Sequence, residues 1–312
     1  MVGIVANPAS GRDIRRLVAG ASVFGNAEKA GMVFRVLTGL GAAGVDRALM
    51  MPAADGLGWT LDRLIQSHGR PLALEVLDMP LTGTALDTTA AVRAMVEQGV
   101  SAIVVLGGDG THRVVAKACG DVPIVALSTG TNNAFPEMRE ATVAGLAAGL
   151  ATDADIRREP ALEVLAGDTV DLALVDVAVS PQRFVGARAL WRAESVTELF
   201  VTHANPAAVG LSAIAGMLAP GARGVHVSLG PGERIMAPIA PGLIVPVDVA
   251  AFAPIDGPIE LAPAHGCLAL DGEREIERHA TPATVRLADG PRRIDVDAVM
   301  HRVATRLQPR GA

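Results

Sequence analysis

The sequence predicts an α/β protein: an N-terminal domain built on a parallel sheet, followed by a β-rich, sandwich-like C-terminal domain. Three observations carry this reading. Residues 1 to about 136 alternate short apolar runs with helical patterns, the texture of βα units. Beyond about residue 150 the apolar runs are β-rich and punctuated by Pro and Gly, at the spacing of a sandwich. The run Ser-Ala-Ile-Val-Val-Leu at 101–106 has no alternation, as expected of a parallel strand buried on both faces.

The elements follow in order. Strands are expected near 2–6, 47–51, 72–77, 101–106 and 122–127, and an arginine-rich helical segment follows residue 11. Val114, Val115 and Ala118 fall at helical spacing directly after the fourth strand. Residues 136–150 read as a linking helix, with Met138, Leu146 and Leu150 among its apolar positions. Strands are then expected over 169–179, 224–229, 243–249 and 267–270, and an Ala- and Gly-rich helical insertion over 206–218 crosses the sheet. The tail 296–307 has the period of an amphipathic helix. The expected division is 1–136, 137–290 and 291–312.

Composition narrows the function classes. Net charge is −6, which gives no electrostatic footprint for nucleic acid or an anionic membrane. With no Tyr, 2 Trp and 6 Phe, stacking platforms for single strands are scarce. Cys119 and Cys267 read as buried thiols of a reducing compartment, on a helix and a strand, without zinc spacing. No signal-like segment precedes the first strand and no apolar run is long enough to span a bilayer, so a soluble cytoplasmic enzyme is expected. The only lysines are Lys29 and Lys117, and Gly-x-x-x-x-Gly-Lys is absent, which excludes a P-loop NTPase. Gly-Leu-Gly-Ala-Ala-Gly at 39–44 matches the dinucleotide fingerprint literally. It follows a helical pattern and precedes a strand, the reverse of the required order, and reads as a helix C-cap and turn.

The chemistry concentrates in loops that follow strands. Gly-Gly-Asp-Gly-Thr at 107–111 joins a strand to a helix, a geometry that points backbone N–H groups and a positive dipole end at an anion. Gly107, Gly108 and Gly110 let the backbone approach a phosphate, and Thr111 opens the helix. Asp109 places a carboxylate beside that site, where it orients or deprotonates a hydroxyl. The plainer alternative makes Asp109 the helix N-cap. Asn7, Ser10 and Gly11 form the loop after the first strand, and Ser128 to Asn133 the loop after the fifth. All three loops should line one crevice. A short strand ending in Asp271-Gly-Glu273 supplies a fourth piece, unless Asp271-Gly272 is an ordinary hairpin turn. Arg188 and Trp191 are read equally well as an amphipathic pair packing the two domains. His112 reads as a solvated or capping group, and His203, His226, His265 and His279 show no ligand spacing.

These pieces, in this order, resemble the superfamily of NAD kinases and diacylglycerol and sphingosine kinases. Its lipid-kinase branch carries Asn-Pro-x-Ser-Gly, Gly-Gly-Asp-Gly-Thr, Gly-Thr-x-Asn-Asp and a late Asp-Gly-Glu. More closely, the whole chain is similar to the acetoin-catabolism protein X family, an NAD kinase-like group. The words are Asn-Pro-Ala-Ser-Gly at 7–11, Gly-Gly-Asp-Gly-Thr-His-Arg at 107–113, Gly-Thr-Asn-Asn at 130–133, Phe-Val-Gly-Ala-Arg-Ala-Leu-Trp at 184–191, Ala-Pro-Ile-Ala-Pro-Gly at 237–242 and Leu-Asp-Gly-Glu-Arg-Glu at 270–275.

The resemblance implies a C-terminal segment that returns to the first domain, and ATP with Mg²⁺ as cofactors. Mg²⁺ is expected through the nucleotide phosphates rather than a protein cage. Phosphates would rest on the amides of Gly107, Gly108, Gly110 and Thr111, helped by Asn7 and Ser10. Thr131, Asn132 and Asn133 would contact the nucleoside. Asp109 and Glu273 would handle the acceptor proton. A nucleotide or small-molecule partner and a homo-oligomer are expected. NAD kinases carry Asn-Asp or Asn-Glu where this chain has Asn132-Asn133, so the acceptor stays open among NAD, NADH, a modified nucleotide and a polyol. Three functions follow: a kinase of NAD(H) or a related soluble hydroxyl compound, a lipid kinase, or a non-catalytic nucleotide-binding regulator of an acetoin or 2-oxoacid dehydrogenase system. The acidic charge disfavours the lipid kinase.

Overall fold

The computed structural model describes residues 1–7, 24–53, 56–130, 133–182 and 193–307. Five strands form the N-terminal half: β1 (Val2–Ala6), β2 (Arg47–Met50), β3 (Ala73–Val76), β4 (Ala102–Gly107) and β5 (Ile124–Ser128). They lie in the order β5-β4-β1-β2-β3, and every pair is parallel. Every residue of β1, β4 and β5 is buried, which explains their uninterrupted apolar runs.

Successive side chains serve opposite faces. Val2, Ile4, Val104 and Leu106 pack with Val33 and Val36 of helix α1 (Asn26–Ala42). Val5, Ile103 and Val105 pack with residues of α3 (Ala85–Glu97) and with Val115 of α4 (Asp109–Ala116). Helix α2 (Leu57–His68) adds Leu57 and Leu61 to the first cluster. Strand order reverses between β1 and β4, so the loops leaving their carboxyl ends flank the topological switch point.

The linking helix is shorter than its periodicity predicts. It spans α5 (Ala141–Leu150), and the Glu140 side chain caps it by accepting from the amides of Thr142 and Val143. The glycine word at 39–44 ends α1 as expected: Gly44 is left-handed at φ 82°, and the amide of Val45 bonds back to Leu40 at 3.0 Å. Its first glycine also has a packing role, since a Cβ on Gly39 would lie 2.2 Å from the carbonyl oxygen of Thr142 in α5.

The second half is antiparallel: β6 (Ile156–Ala166), β7 (Thr169–Ala173), β8 (Asp176–Ser180), β9 (Glu198–His203), β10 (Arg223–Ala240), β11 (Leu243–Pro254), β12 (Ile259–Leu270) and β13 (Glu273–Ile294). The helical insertion shrinks to α6 (Ser212–Leu218), which packs Ile214 and Ala215 against β9 and β10. The two halves share one hydrogen-bonded path, because Arg293, near the end of the 22-residue β13, pairs in parallel with Ile124 of β5. The tail returns as the resemblance implies. Val296 and Val299 of α7 (Val296–Leu307) lie in the cluster that holds Val2 and Ile4. Arg302 clamps α7 to the segment between α5 and β6, donating to both carboxylate oxygens of Asp155 at 2.7–3.1 Å and to the carbonyl of Leu150 at 2.7 Å. That guanidinium, with the Thr152 amide and hydroxyl, brings the Asp155 carboxyl down to about 2 against the cost of its burial. Among the described residues no helix is long and apolar enough to cross a membrane.

Candidate active site

The three loops expected to share a crevice are joined by hydrogen bonds. From the loop after β1, Asn7 donates its side-chain amide to Oγ1 of Thr111 at 3.0 Å. Between the loops after β4 and β5, the Thr129 amide donates to the Gly107 carbonyl at 3.2 Å. The Asp109 carboxylate accepts from the amide of Ala134 at 3.1 Å and from that of Phe135 at 2.9 Å. Asp109 is therefore not the helix N-cap. That position belongs to Gly108, and the Asp109 side chain reaches across to the next loop.

The glycines divide in role. A Cβ on Gly107 would meet Cβ of Thr111 at 2.6 Å, and one on Gly108 would meet Oδ1 of Asn133 at 2.9 Å. Gly107 thus serves the chain's own packing, and a side chain at 108 would displace the Asn133 amide. Gly110 alone faces open space. Asn133 braces its loop, donating to Oγ of Ser128 at 2.7 Å and to the Gly130 carbonyl at 3.2 Å. Ser10, Gly11, Thr131, Asn132, Arg188, Trp191 and the arginine-rich segment lie outside the described residues.

His112 is not solvated. It is wholly buried, with Nδ1 at 2.9 Å from the Gly108 carbonyl and its ring tilted against Phe135. Burial, reinforced by the charge of Arg293, pushes it down to about 4, so it is neutral at physiological pH. Helical position predicted exposure, but α4 presents this face to the 133–137 segment. Cys119 and Cys267 are both buried. Cys119 sits just past the end of α4 rather than on it, and burial pushes its thiol up to about 11.

Two residues matter more than the sequence indicated. Lys29 is 1 % exposed and donates to the Asn7 carbonyl at 3.1 Å, which places an ammonium at the carboxyl end of β1. Asp271 is the more telling. Asp271-Gly272 is an ordinary hairpin turn in its backbone, with φ 51° and 78°, the signature of a type I′ turn. Yet the Asp271 side chain is fully enclosed. It accepts from the amides of Leu174, Val175 and Asp176 at 2.8–3.3 Å. This explains why the single strand expected over 169–179 is two: the carboxylate gathers the amides that would have continued the ladder. Burial pushes the Asp271 carboxyl up to about 7, with Arg113 pulling it down and the charge of Asp109 adding to the rise. Glu273 opens β13 opposite Leu270, partly buried, two residues beyond this enclosed carboxylate. The signal available in the sequence was the complementarity of Arg113 with the acidic word at 271–275.

Residues 2–155 match the ATP-NAD kinase N-terminal domain, and residues 160–290 match the acetoin catabolism protein X C-terminal domain. The acetoin catabolism protein X of Cupriavidus necator is 44% identical over 330 residues, which cover 96% of this chain and 91% of that protein. The chain belongs to the acetoin catabolism protein X family. In this member of the family, the crevice residues Asn7, Asp109 and Thr111 fall in the NAD kinase-like span. Asp271, Glu273 and Glu275 fall in the span particular to acetoin catabolism protein X. Among the described residues no three His, Cys, Asp or Glu side chains converge as a metal cage.

Proposed function

We propose that this chain is an ATP-dependent phosphotransferase whose acceptor is a hydroxyl of NAD(H) or a related soluble metabolite, working in the cytoplasm in connection with acetoin catabolism. One observation carries the reading: a carboxylate, Asp109, held at the opening turn of α4, at the switch point of a parallel sheet. Phosphoryl transfer asks a protein for positioning and charge neutralisation more than for covalent chemistry. The amides of Gly110 and Thr111 at the start of α4 would receive phosphate oxygens, and the openness beside Gly110 leaves room for them. Asn7 would hold Thr111 in register through its 3.0 Å bond. Asp109, fixed by the amides of Ala134 and Phe135, would orient the acceptor hydroxyl and take its proton as the bond to phosphorus forms. Glu273 would supply the second carboxylate and Asn133 would border the nucleoside. Mg²⁺ bound through the nucleotide phosphates would neutralise charge on the transferred group.

A second reading draws on the same amide contacts. A carboxylate committed to two backbone donors also suits a non-catalytic nucleotide-binding regulator of an acetoin or 2-oxoacid dehydrogenase system. Phosphate transfer from ATP to NAD, NADH, diacylglycerol and small polyols separates the readings. Transfer to NAD or NADH that disappears in Asp109→Asn supports the kinase. Transfer to diacylglycerol alone makes it a lipid kinase, and ATP binding without transfer to any acceptor leaves the regulator.

A further inference from the structure

Two words of the sequence that lie 162 residues apart meet through one guanidinium. Arg113 projects from α4, four residues after Asp109, and is 6 % exposed. Its Nη2 donates to Glu275 at 2.5 Å, its Nη1 to Asp171 at 3.4 Å, and its Nε lies 3.8 Å from Asp271. Lys117, one turn further on, donates to Asp171 at 2.7 Å. The helix that begins at Asp109 is thereby tied to β7, to the β12–β13 turn and to β13. An enclosed carboxylate is costly, and a type I′ turn has no need of one, since Asn satisfies the same backbone. The charge at 271 therefore has a purpose beyond the turn.

We infer that Asp271 is a positioning residue: acting through Arg113, it latches the β12–β13 hairpin, and with it Glu273, onto the helix that carries Asp109. The inference rests on the reading of the crevice as a phosphate-transfer site. Enclosed by the amides of Leu174, Val175 and Asp176, Asp271 meets the charges of Arg113 and Asp109 from α4, while Asp171 of β7 and Glu275 of β13 share Arg113 with it. The Asp271 carboxyl lies 3.8 Å from Nε of Arg113, close enough to hold the guanidinium towards the turn. Losing it lets two catalytic groups on different elements drift, and such misplacement costs turnover far more than affinity.

The test compares the full-length protein with Asp271→Asn, which suits the left-handed backbone at φ 51°, and with Glu275→Gln on the partly exposed arm of the cluster. Amide hydrogen exchange over 107–111, 174–176 and 273–275 is followed from pH 6 to 8. Asp271→Asn should exchange faster at 107–111 as well as at 174–176. Turnover should fall by roughly tenfold or more with ATP affinity unchanged. Faster exchange confined to 174–176 at every pH would overturn the latch. If Asp271→Asn does not fold, Glu275→Gln decides: faster exchange at 107–111 supports the latch, and no change there sinks it. Exchange does not depend on turnover, so absence of phosphate transfer in the parent defeats the kinase reading without touching this result.

Discussion

Asp109 shows how one carboxylate serves packing and chemistry together. Its two amide contacts use mainly Oδ1, so Asp109→Asn can keep them with its carbonyl oxygen. We expect a folded protein that still binds ATP but turns over roughly a hundredfold more slowly, as for loss of a positioned base. Initial rates and calorimetric ATP binding check this. Full activity in the folded fraction would reduce Asp109 to a loop fastener. Asp271 and His112 make a second prediction, for stability against pH. Folding raises the Asp271 carboxyl from its ordinary 3.8 to about 7, so its contribution is fully present below about 4 and is lost as pH rises through 7. Folding depresses His112 from 6.5 to about 4, so the unfolded chain binds the extra proton and stability is lost as pH falls over that window. The two slopes oppose and largely cancel in the parent. Asp271→Asn should unmask a Tm that falls with acid between pH 6.5 and 4.5. His112→Asn should unmask the reverse, and parallel Tm profiles for all three proteins would refute both assignments.

At the scale of elements, helix crossing is the most exacting feature. Helices α1 and α5 meet at Gly39 and Gly145, where a Cβ on Gly145 would lie 2.3 Å from the carbonyl oxygen of Val36. Backbone cannot yield there as a flexible side chain can. Gly145→Ala should cost about 1–3 kcal/mol by overpacking, read from urea unfolding, whereas Gly110→Ala, facing open space, should leave stability nearly unchanged while impairing ATP binding. Periodicity made α1, β1, β4 and β5 legible because both faces of those strands are covered. It misjudged α5 and α6, since propensity extends a helix into residues that here are turns and bends or, at Glu137, bridge to Leu127 of β5. It also ran β7 and β8 together, because Leu174 and Val175 are apolar and nothing local announces that Asp271 takes their amides.

The whole molecule is held as one sheet path with a strap. Strand β13 carries the antiparallel half to β5, and α7 then returns to the parallel half. Val299 is fully buried there, and Arg302 pins the helix to Asp155. Deleting residues 295–312 should therefore lower the Tm of the NAD kinase-like half by several degrees or more, since it uncovers the apolar cluster around Val2, Ile4 and Val36. Differential scanning calorimetry of the truncated chain checks it, and an unchanged transition would show that α7 adds no stability. Arg302→Gln should reproduce part of the loss. It should also weaken the dependence on acid, because the lowered Asp155 carboxyl contributes stability that disappears as pH falls towards about 2.

The sequence by itself determined the class of the fold, the strands of the parallel half and the residues that open α4. Those are local facts: apolar runs, glycine spacing and helical period act within about a dozen residues. The meeting of Asn7 with Thr111 was also legible, because strand order in a parallel sheet brings such loops to one end. Only the tertiary structure decided that Asp271 and His112 are enclosed, that Gly107 and Gly108 admit Thr111 and Asn133, and that Arg113 reaches the acidic word at 271–275. Burial and charge pairing depend on what distant segments place nearby, and an isolated Asp, His or Arg carries no local mark of a neighbour more than a hundred residues away.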